Sequence, residues 1–381
     1  MDLINDFRDK DKILALSKLI RAKSKALKKP LNIMEICGGH THSIMKFGLP
    51  QLVGESINFI HGPGCPVCVM PRRAIDEACK LASMENTIFT TLADMIRVPG
   101  STHSLAQLRG QGHDIRALYS PLEALEIARQ NPSKNVIFFA IGFETTTPMS
   151  AVLVEKTLNE NVKNLFFHIN HVTVPAPLRA IMSDETAKID GFLGPSHVSV
   201  IVGSDEYKGL CAEFKKPIAI SGFEPLDVMA SVLNVLEQCL AGTHEVYNEY
   251  SRVVSAKGNE VAKALINKYF VPCDMLWRGL GLIEQSGLDL RSEYDALNAK
   301  KRFDCSVISK PESKACICPQ ILKGLAKPYD CKVFGKACTP QSPIGSCMVS
   351  GEGACAAYYK YQAGMTSDFT LDAFPNLPLE A

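Results

Sequence analysis

The chain has 381 residues, and 41 Lys and Arg stand against 40 Asp and Glu for a formal net charge of +1. That length suits two or three domains, and the balanced charge argues against a general binder of nucleic acid or other polyanions. Hydrophobic residues at 46% and charged residues at 21% exclude a disordered chain and supply enough apolar side chains for sizeable cores.

Residues 1–30 read as a helix. Ile13, Leu16, Ile20 and Leu27 share one face, the basic residues from Arg21 to Lys29 fill much of the rest, and Pro30 ends it. The basic run has no interleaved aromatic residues, so a solvated face explains it better than a nucleic-acid patch. This helix is expected to pack against the C-terminal part of the chain. Met1 to Lys29 contains no continuous apolar stretch of the kind that marks a secretory signal. The most apolar run, 136–143, is far shorter than the ~20 residues of a spanning helix and reads as a buried strand. A cytoplasmic protein with no membrane span is therefore expected.

From Asn32 onward short apolar runs alternate with helical patterns, the sequence form of βαβ units. Strands are expected over 32–36, 57–60, 87–91, 115–119, 135–141, 164–169, 191–193 and 217–221, with helical patterns such as 121–129 and 227–240. Breaks at 131–134 and 241–243 divide the chain. The expected domains are an α/β lobe over 31–131, a second α/β lobe over 132–241, and a C-terminal domain over 242–381 that is helical at first and then loop-rich. A short internal likeness supports similar lobes: residues 32–37 before Gly-Gly-His-Thr-His resemble 136–142 before Phe-Glu-Thr-Thr-Thr, and 61–65 resemble 193–197. Two parallel-sheet lobes with a cleft between them would bring all four loops to strand C-terminal ends, where open α/β sheets place ligands.

Fourteen cysteines are the unusual feature. In a reducing compartment clustered cysteines serve as metal ligands or redox thiols more often than as structural disulfides. The first group is Cys37-Gly38-Gly39-His40-Thr41-His42 with Gly62-Pro63-Gly64-Cys65-Pro66-Val67-Cys68. Three thiolates and the His40 imidazole have the softness to hold Zn²⁺ or Fe²⁺, and softness alone does not choose between them. His42 suits an orienting role. The C-x-x-C by itself also suits a redox dithiol.

The second group is the tail, where Cys316, Cys318, Cys331, Cys338, Cys347 and Cys355 lie within 40 residues. Cys316, Cys331, Cys338 and Cys355 have the spacing C-x14-C-x6-C-x16-C, which is compatible with a four-thiolate iron–sulfur cluster and too wide for a zinc ribbon of two C-x-x-C knuckles. Cys318 and Cys347 are then left as a redox pair beside it, and a zinc site built from another four of the six is the alternative. A third set, Glu144 in Gly142–Thr147 and His197 in 195–199, offers a buried carboxylate and an imidazole for acid–base work or for hydrogen bonding near a metal. Cys79, Cys211, Cys239, Cys273 and Cys305 are scattered and read as small buried hydrophobes, and His168 and His171 as structural.

Taken together, C-G-G-H-T-H, G-P-G-C-P-V-C, G-F-E-T-T at 142–146, P-S-H-V-S at 195–199 and the tail around Cys338-Thr-Pro and Gly345-Ser-Cys-Met-Val-Ser resemble the HypD family of nickel–iron hydrogenase maturation proteins over nearly the whole chain. The resemblance implies a scaffold for assembling the Fe(CN)₂CO part of a hydrogenase active site. It implies a HypC-type chaperone that shares the iron through its N-terminal cysteine, and a HypE-type cyanide donor. Carried onto this sequence, Cys37, Cys65 and Cys68 are the iron or redox thiols with His40 close by. Cys316, Cys331, Cys338 and Cys355 match [4Fe–4S] ligands, and Cys318 and Cys347 match a further thiol pair. The rival from another class is an iron–sulfur disulfide reductase acting on a protein partner through Cys65 and Cys68.

Overall fold

The structure, a computed structural model, describes residues 5–184, 186–311 and 313–361. Eleven strands run through the described residues: β1 (Leu31–Glu35), β2 (Ile57–His61), β3 (Thr87–Leu92), β4 (Ile115–Leu118), β5 (Asn135–Gly142), β6 (Leu165–Val172), β7 (Gly191–Gly194), β8 (Ile218–Ile220), β9 (Val246–Asn248), β10 (Phe270–Trp277) and β11 (Gly281–Leu290). They form two sheets. The first has the order β2-β1-β7-β8-β9 and is parallel throughout. The second has the order β10-β11-β6-β5-β3-β4, in which β6, β5, β3 and β4 are parallel and the β10–β11 hairpin adds an antiparallel edge.

Sequence explains the central strands directly. Every residue of β6 is buried, as is all of β5 after Asn135, because helices cover both faces and a strand covered twice must be apolar without alternation. The α/β class and all eight expected strands are present. The sheets, however, do not divide at residue 131. The first sheet takes β1 and β2 from the N-terminal segment and β7 to β9 from beyond residue 190, while β3 to β6 build the second. The chain crosses between sheets three times, after β2, β6 and β9, which no local pattern records.

The hairpin lay outside expectation, since 242 onward read as helix and loop. Pro272 in β10 removes a ladder donor and weakens the strand signal, but β10 is an edge strand, where proline is tolerated. Gly279 and Gly281, at φ +82° and +84°, turn the chain between the two strands.

The N-terminal helix, Lys10–Ser24, is capped by Asp9, whose carboxylate accepts the Lys12 N–H at 3.1 Å. Its buried residues are Ile13, Ser17, Ile20 and Ser24. They face helices Leu49–Val53 and Pro225–Ala241, with the Ser17 hydroxyl donating to the Leu52 carbonyl at 2.6 Å. It thus covers the first sheet, and this corrects the expectation that it would lie on the C-terminal domain. The tail packs elsewhere: Cys318, Cys347 and Cys355 share one continuous core with Ile36, Cys65 and Cys68.

Candidate functional site

Each candidate loop leaves the C-terminal end of a parallel strand: Cys37 follows β1, Cys65 follows β2, Glu144 follows β5 and Ser196 and His197 follow β7. A cavity of about 620 Å³ lies there, lined by Gly39, His42, Pro66, Asp94, Gly142 and Thr146 together with Phe223 and, from the tail, Ser350, Gly351 and Glu352. Both sheets and the tail therefore contribute walls to one cleft.

Cys37 is the N-cap of helix Gly38–Lys46, with its own N–H donated to Glu35 Oε2 at 3.0 Å. Burial pushes its thiol up to about 12. Gly64 is the contact point with the second loop. A Cβ there would fall 2.5 Å from Cys37 Cα and from the Ile36 carbonyl carbon, so only glycine lets the two backbones touch. The Gly38 N–H donates to the Gly64 carbonyl at 3.2 Å across the same junction. Cys65 caps the short helix Pro66–Val69, its sulfur accepting the Cys68 N–H at 3.2 Å.

The two cysteine groups meet through Cys68. The Ser346 hydroxyl donates to the Cys68 carbonyl at 2.8 Å. The next residue, Cys347, is fully buried and its sulfur interacts with Cys68 on one side and Cys318 on the other. The nearness of Cys318 and Cys68 lowers its thiol to about 6 against the cost of burial, while the Cys68 thiol is directed at the Ser346 carbonyl at 4.0 Å. Cys318 in turn lies 3.2 Å from Cys316 and interacts with Cys355, while Cys338 accepts the Ile344 N–H at 3.3 Å. Cys331 stands apart with its thiol toward the Ala315 carbonyl at 3.7 Å.

The donor set is compatible with a four-thiolate cluster. A Cβ on Gly345 would lie 2.6 Å from the Cys316 sulfur and 2.8 Å from that of Cys318, so the backbone is shaped around sulfur. Among the described residues no three His, Cys, Asp or Glu side chains converge on a single metal position. In a cubane each iron takes one protein thiolate.

The remaining candidates separate. His40 is fully buried, and its Nε2–H is shared between the carbonyls of Ser221 and Gly222, each at 3.1 Å, which fixes the tautomer and leaves Nδ1 without a partner. Burial holds it neutral, with a pKa near 4. Phe223 lies between His40 and the exposed His197, with ring centroids at 4.9 and 4.7 Å. Glu144 is not in the cleft wall. Gly142 and Thr146 of its own turn are, but Glu144 lines a second cavity of about 950 Å³ beside helix Pro175–Ser183 and the β10–β11 hairpin. Its Oε1 accepts the Val174 N–H at 2.9 Å, Oε2 has no partner, and burial pushes its pKa up to about 7. His168 and His171 are buried and neutral, consistent with structural roles.

Sequence reading passed over Glu35, His61 and Tyr358, which form a buried hydrogen-bonded row beneath Cys37, and over the acidic cleft residues Asp94 and Glu352. The available signal was Glu35 itself, a charge in a run otherwise read as a buried strand.

The family model HypD, described as "Hydrogenase formation hypA family", matches residues 11–362. The chain belongs to the HypD family. It is 44% identical over 370 residues to "Hydrogenase maturation factor HypD" of Rhodobacter capsulatus, a match spanning 95% of this chain and 98% of that protein. It is 41% identical over 367 residues to the protein of the same name from Escherichia coli (strain K12), spanning 95% and 98%. This HypD-family chain is a hydrogenase maturation factor. No helix among its described residues is long and apolar enough to cross a membrane.

Proposed function

We propose that this chain is a cytoplasmic scaffold on which the Fe(CN)₂CO unit of a nickel–iron hydrogenase is assembled. Iron, the cargo, is held by the thiols of Cys37, Cys65 and Cys68, with a HypC-type chaperone sharing it and a HypE-type protein donating cyanide. The observation that carries the reading is the joining of two cysteine groups at one strand-end cleft: the Cys37 and Cys65 loops touch at Gly64, and Cys68 meets Cys347 of the tail.

That arrangement supplies a thiol-exchange route. A Cys65–Cys68 disulfide is opened when the Cys347 thiolate attacks the Cys68 sulfur, releasing Cys65 as thiolate and leaving a Cys68–Cys347 disulfide. Attack by the Cys318 thiolate on the Cys347 sulfur then frees Cys68 and leaves a Cys318–Cys347 disulfide. Two electrons have moved to the cleft, where both thiolates are ready for iron. A [4Fe–4S] cluster on Cys316, Cys331, Cys338 and Cys355 supplies single electrons when bound and suits resetting that pair. His40, neutral and locked by two carbonyls, keeps Phe223 and the cleft wall in place.

The test is an anaerobic infrared spectrum of the chain purified with its HypC-type partner, beside a Cys37→Ala variant. Bands of iron-bound cyanide and CO in the first and none in the second are expected. Their absence from a complex that contains iron and sulfide would favour the disulfide reductase, which the Cys65–Cys68–Cys347 contact also suits.

A further inference from the structure

Glu35 closes β1 with no exposed surface, and its carboxylate is surrounded by donors. Oε2 accepts the Cys37 N–H at 3.0 Å. Oε1 accepts the Thr41 hydroxyl and the His61 Nδ1–H, the latter at 2.8 Å. His61 is the register partner of Glu35 across β1 and β2. With Nδ1 donating, its Nε2 accepts, and it takes the Tyr358 O–H at 3.0 Å. The two rings meet edge-on with centroids 5.2 Å apart. Tyr358 belongs to helix Ala354–Tyr361, three residues after Cys355 and on the same helix face. Burial raises the Glu35 carboxyl well above its ordinary value, and the hydrogen bonds of Thr41 and Cys37 and the charge of Lys327, also from the C-terminal segment, only partly oppose it.

The thiol path described above runs from Cys65 and Cys68 to the tail and leaves out Cys37. The Glu35 row is the buried connection that includes it, beside the His42–Tyr361 hydrogen bond at 3.0 Å and the close approach of Gly38 to Glu352. We infer that Glu35 is a positioning residue which, through His61 and Tyr358, ties the loop presenting Cys37 to the helix carrying Cys355, so that the state of the tail thiols sets how open Cys37 is to reagents. A buried polar group such as this carboxyl bears its full desolvation cost when it loses a hydrogen-bond partner. A shift of the Cys355 helix is therefore followed by the Tyr358 hydroxyl, the imidazole, the carboxylate and finally the Cys37 backbone. The significance for iron loading rests on the proposed scaffold role, whereas the coupling itself does not.

The experiment measures alkylation of Cys37 by iodoacetamide in the full-length protein under anaerobic conditions, quantified by mass spectrometry of the Cys37 peptide. It is run on the metal-free protein with all thiols reduced and again after diamide oxidation of the tail thiols, so that Cys37 carries no iron in either arm. In the wild type the two rates are expected to differ about fivefold, the scale of one lost hydrogen bond. Tyr358→Phe keeps the ring and removes only the hydroxyl, so the difference falls to less than half while the His42–Tyr361 contact stays in place. Glu35→Gln, whose amide has one acceptor and cannot serve both Cys37 and His61, raises both rates about tenfold. Tyr359→Phe, on the exposed side of the same helix, keeps the wild-type difference. Equal rates in the wild type, or a Tyr358→Phe variant that retains the difference, overturn the inference, and Tyr358→Phe decides alone if Glu35→Gln does not fold. Missing iron–cyanide bands would defeat the scaffold reading without touching this result.

Discussion

The cleft cysteines and the tail cysteines reach the same core by different means. Cys37, Cys65 and Cys68 stand at the ends of β1 and β2, so hydrogen-bonded strands and helix starts fix them. Between Cys316 and Cys355 the described chain has only short helical turns, such as Cys318–Leu322 and Ser346–Met348, before the helix Ala354–Tyr361. There the sulfur contacts and the packing onto the sheets hold the backbone, not the reverse. A sheet-borne site is therefore rigid before it binds anything, while a turn-borne site depends on what its thiols hold.

The sharpest way to break that contrast is Gly64→Ala. The added carbon would overlap the Cys37 nitrogen and lie 2.5 Å from Cys37 Cα and the Ile36 carbonyl carbon, all backbone atoms of the short link between β1 and the helix Gly38–Lys46. Neither side can give, so a loss of more than about 4 kcal/mol, or failure to fold, is expected in urea unfolding. Gly110→Ala meets nothing within 4 Å and serves as the control with little change. A Gly64→Ala protein of wild-type stability would show that the cleft loops are not locked by the sheet.

Gly345→Ala is the counterpart in the tail. Its Cβ would press on the sulfurs of Cys316 and Cys318 at 2.6 and 2.8 Å, side-chain atoms that can rotate away. About 1–3 kcal/mol of overpacking is expected, falling on the tail alone. Bound iron and sulfide should drop while the far-ultraviolet circular dichroism of the two sheets holds. Equal damage to both would mean that tail and sheets fold as one unit.

The parts legible in the sequence follow the same line. β5 and β6 are continuous apolar runs because both faces are buried, and the glycine-bearing loops mark their strand ends. Sheet membership was not legible, because the crossings joining β2 to β3, β6 to β7 and β9 to β10 carry no local signature. The meeting of Cys68 with Cys347 was likewise hidden, being a contact between residues 279 positions apart that only the shared core creates. Glu144 shows a subtler failure. A turn can present alternate residues to opposite sides, so Gly142 and Thr146 face the cleft while Glu144 faces the second cavity.

Glu144 also gives a pH test on a sheet-borne loop. Its carboxyl moves from an ordinary 4.5 to about 7 on burial, so the folded state binds the proton more tightly than the unfolded one. The stability this contributes is full below pH 4.5, declines as pH rises, and is lost above pH 7. Glu144→Gln stays neutral at every pH and should be more stable than the wild type at pH 8, by on the order of 2 kcal/mol, with little difference at pH 4.5. A pH-independent difference would mean that the orphaned Oε2 finds a donor in solution.

The smallest expected effect concerns how the N-terminal helix is attached. Arg8 grips Glu224 at 2.5 and 2.9 Å, but both side chains are partly solvated, at 33% and 20% exposure. Water competes for both groups, so Arg8→Ala should cost about 0.5–1 kcal/mol and less in high salt. Ile13→Ala, by contrast, removes a side chain with no exposed surface from the core shared with Leu52 and Val232 and should cost about 2–4 kcal/mol with no salt dependence. If the arginine proved the costlier loss, the helix would be a charged latch on the loop after β8, next to the Ser221 and Gly222 carbonyls that hold His40, and its release would disturb the cleft. The expected order makes it a fixed part of the first sheet's packing, with the cleft insulated from ionic strength.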